Sequence, residues 1–128
     1  MPMNPLRDTG AVATVAVKDL KAAAAFYEER LGLVPHSREG EEVITYRAGA
    51  TKLNVYRSEF AGTNEATSVT WVVGDVAAVA KALAALGVVF EHYDLPGMKR
   101  EGDVHVAGAI KAAWFKDPDG NIHNLASG

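Results

Sequence analysis

Four histidines hold most of the side-chain chemistry this 128-residue chain has to offer, and their spacing does not gather it. His36, His92, His105 and His123 form no H-x-H or H-x-x-x-H pair, the spacings that set two imidazoles on one face for a shared ion. Each reads first as a surface or hydrogen-bonded imidazole. His92 follows the second helix and His105 lies in a long loop, so these two are the ones placed to meet a ligand. His123 is next to Asn124, and neighbours on a strand face opposite ways. Cysteine is absent, which removes disulfides, thiolate nucleophiles and thiolate metal ligands. Ser58 and Ser68 stand outside any nucleophile-elbow motif, and no Ser–His–Asp set emerges from the spacing. An acid–base residue remains available in His105, Glu91 or Tyr93.

The elements that position these groups come in two copies. Val12–Leu33 (VATVAVKDLKAAAAFYEERLGL) aligns with Ser68–Val88 (SVTWVVGDVAAVAKALAALGV), setting Thr14 on Thr70, Val17 on Val73 and Asp19 on Asp75. A one-residue gap then brings Leu31-Gly32-Leu33 onto Leu86-Gly87-Val88. Val12–Val17 predicts a strand. Asp19 caps the helix after it. Leu20, Ala24, Tyr27 and Leu31 form its apolar stripe, and Gly32 ends it. The second copy repeats the logic with Asp75, the stripe Val76, Val79, Leu83 and Leu86, and Gly87.

Between and after the copies, Val34–Arg38, Glu42–Ala48 and Lys52–Ser58 predict strands, with turns at Gly40 and Gly49. Glu59–Thr67 is a polar connector. Val88–Tyr93 predicts a strand and Leu95–Gly108 a long mobile loop. Ala109–Lys116 and Asn121–Ala126 predict a hairpin across Asp117-Pro118-Asp119-Gly120. The order is βαβββ twice, an α+β fold. A flexible tail over residues 1–10 precedes one domain, 11–128, with modules at 11–60 and 66–127. The formal charge of −3 shows no nucleic-acid footprint, and no apolar run reaches membrane-spanning length. The N-terminus lacks a signal-peptide core, so the expected location is cytoplasmic.

V-K-D-L…F-Y…L-G-L, V-G-D-V…L-G-V and the terminal W-F-K-D-P-D-G-N together resemble the vicinal oxygen chelate superfamily. That group includes glyoxalase I, bleomycin-resistance proteins, fosfomycin-resistance enzymes and extradiol dioxygenases. The resemblance covers Val12 to Leu125. It implies curled sheets around an open cavity, a small-molecule site in that cavity, and a homodimer. It also implies where metal-dependent members hold their ion: at Val12, at Ser68, at Asn124, and at Leu53 or Asn54 depending on a one-residue register. Valine, serine, leucine and asparagine supply neither a charge nor an imidazole, so no metal and no other cofactor is expected.

The cavity lining follows from alternation along the strands. Val12, Thr14 and Ala16 share one face, as do Ser68, Thr70 and Val72; Val15, Val17, Val69, Trp71 and Val73 turn to the helices. A three-residue hairpin loop with Gly120 left-handed sets Trp114 opposite Asn124 on the cavity face. A two-residue loop turns Trp114 away; the chemistry of Pro118 and Gly120 favours the first. The expected ligand-binding set is Val12, Thr14, Asn54, Tyr56, Ser68, Thr70, His92, His105, Trp114 and Asn124. Such a lining suits a metal-free binding protein that sequesters an apolar or aromatic molecule, an antibiotic among the candidates. The alternative is a glyoxalase-like lyase, isomerase or dioxygenase with noncanonical metal ligands or a metal-free acid–base residue. Binding is favoured over catalysis.

Overall fold

The computed structural model describes residues 5–8 and 10–127, so the expected tail falls partly outside the described residues. The first copy builds β1 (Ala13–Val17) and α1 (Leu20–Ala24), which widens into a π-helical turn over Ala25–Arg30. After these come β2 (Val34–Glu39), β3 (Val43–Ala48) and β4 (Thr51–Arg57), giving a sheet ordered β1-β4-β3-β2. The second copy builds β5 (Thr67–Val73), α2 (Val76–Ala85), β6 (Phe90–Glu91), β7 (Lys99–Glu101), β8 (Val104–Ala107), β9 (Ile110–Lys116) and β10 (Ile122–Ser127). Its sheet runs β5-β10-β9-β8-β7, with β6 also on β9. First and last strands of each copy pair in parallel, Thr14 with Asn54 and Thr70 with Asn124. Because Thr14 and Thr70 are repeats of one another, Asn54 rather than Leu53 is the counterpart of Asn124.

Both helices start on their aspartates. Asp19 accepts the amides of Lys21 and Ala22, and Asp75 that of Ala78. Gly32 and Gly87 end them with φ of 71° and 96°. The first helix departs from a regular stripe: the Leu31 amide reaches back to the Phe26 carbonyl, five residues away. The wider turn lets two adjacent aromatics, Phe26 and Tyr27, both enter the core. One cluster spans both sheets, with Val15, Ile44, Tyr46, Leu53 and Val55 from the first and Val69, Ala113, Phe115 and Leu125 from the second. Leu20, Phe26, Val76 and Ala80 of the helices close it.

The second module corrects two expectations. The strand over Val88–Tyr93 shrinks to Phe90–Glu91, and Leu95–Gly108 is not a plain loop. It carries the β7–β8 hairpin, turning at Gly102 with φ of 64°, and Val104 and His105 are buried. The charges of Lys99, Arg100 and Glu101 mask an exposed edge strand whose partner is anchored. Both β6 and β8 run antiparallel to β9, at Phe115–Trp114 and at Ala112–Ile110 respectively. Together they occupy the place β2 has beside β3, interrupted by the excursion 92–103.

Candidate functional site

The terminal hairpin takes the three-residue form. The Gly120 amide donates to the Asp117 carbonyl, the Asp117 amide to the Asn121 carbonyl, and Gly120 has φ of 86°. Trp114 therefore pairs with Asn124. Cross-strand partners share a face, so Glu91, Trp114, Asn124 and Thr70 form a row across β6, β9, β10 and β5. His105 faces the same way through its partner Ala112. This face lies opposite the helices.

An aromatic group gathers there. The His105 ring meets the Trp114 indole edge to face at 4.9 Å, and Tyr93 meets Trp114 at 5.5 Å. His105 is 1% exposed. Its Nε2 lies 2.9 Å from the Tyr93 amide nitrogen and 3.1 Å from the Tyr93 carbonyl, fixing the ring against the start of the excursion. Its Nδ1 and the Asn124 Oδ1 are buried and have no hydrogen-bond partner among the described residues. Buried polar atoms are rarely left so. Burial, then the nearby Glu91 charge, raises the Tyr93 phenol. Glu91 itself pairs with Lys116 at 3.4 Å.

The other expected residues lie elsewhere. Thr14, Tyr56 and Ser68 line a recess of about 280 Å³ between β1 and the connector, with Phe60, Asn64 and Asn121. Asn64 Nδ2 donates to Ser68 Oγ at 3.0 Å. Asn54 sits beside this recess and accepts from Thr45 at 2.7 Å. Ser68 and Thr70 share one face of β5 and so link the recess to the Trp114 row. Val12 is exposed, just before β1. His92 does not join the aromatic group: it is exposed and closes the base of the excursion on Asp103 at 2.7 Å.

A buried polar chain went unread in the sequence. Trp71 Nε1 can only donate, and it points at His123 Nδ1 at 3.0 Å. The neutral imidazole then carries its proton on Nε2 and donates to Tyr27 Oη at 2.9 Å. Tyr27 donates to Asp117 Oδ2 at 2.7 Å. Asn121 Nδ2 bonds the same carboxylate at 2.8 Å and the Ala16 carbonyl at 2.7 Å. Asp117 Oδ1 takes the amides of Asp119 and Asn121. Burial holds His123 down at about 4. Burial, and next the Asp117 charge, push the Tyr27 phenol well above its ordinary value. The available signals were the strand alternation that turned His123 towards the helices and the place of Tyr27 in the apolar stripe.

Among the described residues, no three His, Asp or Glu side chains converge as a metal-holding group. The positions the resemblance pairs with a metal hold Val12, Asn54, Ser68 and Asn124, and this donor set does not fit a divalent ion.

Duplicated βαβββ modules, each with first and last strands paired in parallel around an open face, define a small class of α+β proteins. The chain belongs to the Glyoxalase/Bleomycin resistance protein/Dioxygenase superfamily, whose family model matches residues 11–124. No curated protein sequence matches it. Among solved structures it is similar to the bleomycin-binding protein from bleomycin-producing Streptomyces verticillus, complexed with copper(II)-bleomycin. That pair has 24% identity and a TM-score of 0.72, covering 95% of this chain and 98% of that one. It is similar to lactoylglutathione lyase from Agrobacterium tumefaciens, with 17% identity, a TM-score of 0.70 and 94% of each chain covered. A glyoxalase family protein from Enterococcus faecalis has 16% identity and a TM-score of 0.72, over 95% of this chain and 99% of that one. At these identities the likeness is one of fold.

Proposed function

We propose that the protein binds a planar, largely uncharged small molecule on the open face around Trp114, without a metal. The observation that carries this reading is the aromatic group on that face, the Trp114 indole with Tyr93 and His105 against it, beside the Asn124 amide. Stacking supplies affinity, and exposed hydroxyls on the same face orient a ligand that offers complementary hydrogen bonds. A naked charge buried there would meet only Glu91, which is already paired with Lys116, and would cost several kcal/mol. Thr14, Tyr56, Ser68 and Thr70 extend the surface with hydroxyls, and Val12, Asn54 and His92 stand at its margin. The similarity to a bleomycin-binding protein puts an antibiotic among the candidate ligands for this chain. The protein acts as one domain, residues 11–128, in the cytoplasm. It does so as a homodimer, since Val72 is 70% exposed on the same face and the sheets end in open edges.

A thermal-shift screen of aromatic natural products, followed by titration, tests the site. Trp114→Ala is expected to weaken binding by about 1–3 kcal/mol, and Asn124→Ala to change selectivity more than affinity. A Trp114→Ala protein that binds the best aromatic ligand normally would refute the assignment.

A further inference from the structure

A sizeable cleft lies away from the Trp114 face. It measures about 650 Å³ and opens beside the start of α1, lined by Lys18, Lys21, Arg38 and Arg57 together with Asp19, Glu41 and Glu42. A second recess of about 290 Å³ adjoins it, and Lys18 and Arg57 line both. Four cations and three carboxylates line the cleft, in a chain whose formal charge is −3. Cations gathered in this way repel one another unless something negative sits between them.

The nearby carboxylates meet that need only in part. Asp19 spends Oδ1 on the amides of Lys21 and Ala22 as a helix cap. Glu42 takes one nitrogen of Arg57 at 3.0 Å, and Glu28 takes one of Arg38 at 3.1 Å while accepting from Tyr46. Each guanidinium keeps further N–H groups unused in these bonds. Both arginines are about half exposed, and exposed pairs of this kind are weak, so they yield readily to a better anion. Among the described residues, Lys18 and Lys21 have no carboxylate partner.

We propose that this cleft is a second binding site, for a small multiply charged anion of the phosphate-ester class, held by Lys18, Lys21, Arg38 and Arg57. Arginine forks suit phosphate oxygens and the lysines add mobile point charges. The volume falls within the range, roughly 300–1,000 Å³, of small-molecule sites. The site is independent of the aromatic one, because none of its residues belongs to the Trp114 row or the Thr14 recess.

Calorimetric titration of the full chain with pyrophosphate at low ionic strength tests it. Saturable one-to-one binding is expected, weakening as salt is raised. The double variant Lys18→Gln/Lys21→Gln and the single variant Arg57→Gln should each weaken it by about tenfold or more. Lys81→Gln, an exposed lysine on α2, should leave it unchanged. Circular dichroism checks that each variant folds, and the aromatic ligand should bind all of them as before. No saturable binding of pyrophosphate, or an equal loss with Lys81→Gln, would overturn the assignment. Neither result touches the reading of the Trp114 face.

Discussion

His123 is 0% exposed, with both ring nitrogens occupied, and it has no room for a second proton. Its ordinary value of 6.5 falls to about 4 in the folded chain through burial. The unfolded chain therefore takes up a proton as pH drops below about 6.5, while the folded one waits until about 4. Stability from this group is complete above 6.5 and drains away across that window, by about 3 kcal/mol in all. Urea unfolding at a series of pH values should show this decline. His123→Gln should be less stable at neutral pH but flatter between 6.5 and 4; an equally steep decline in the variant would count against the account. Sequence alone placed His123 on the face opposite Asn124. It could not show the imidazole's partners, because Tyr27 and Trp71 lie 96 and 52 residues away from it. Pairing at that distance is a property of packing.

At the scale of elements, the Asp117–Asn121 turn is a clasp between modules. Asn121 bonds the carbonyl of Ala16, Asp119 Oδ1 accepts the Lys18 amide, and the connector presses against the same turn. A Cβ on Gly62 would stand 2.9 Å from the Asp119 carbonyl oxygen, at a φ of 82° that already disfavours a side chain. Gly97 has a similar φ of 77° but open space around it. Both alanine variants should lose about 1–2 kcal/mol to backbone strain, and Gly62→Ala an additional amount from the contact. Comparing denaturation midpoints separates the two terms; equal losses would mean the connector gives way freely. The repeat, the caps and the terminal hairpin were legible because short-range chemistry sets them: aspartate before a helix, glycine after it, proline and glycine in the turn. The β7–β8 hairpin and the π-helical turn were not. The first hides behind charged residues on an edge, and the second is imposed by packing two neighbouring aromatics at once.

For the molecule as a whole, one core joins two sheets whose open faces carry apolar groups, including Val12, Tyr56, Val72 and Ile110. A second copy is the simplest cover for them, and light scattering at micromolar concentration should return about twice the mass of one chain. A clean monomer with no concentration dependence would speak against that assembly. The two tryptophans have a practical consequence of their own. Trp71 on β5 turns towards the helices and stacks on His123 at 6.1 Å, whereas Trp114 on β9 looks out from the opposite side of the same sheet. Their emission should therefore divide into two reporters, one for the integrity of the interior and one for an occupied face. Trp114→Phe should keep the fluorescence change on acidification and lose the change on adding an aromatic ligand, while Trp71→Phe should do the reverse.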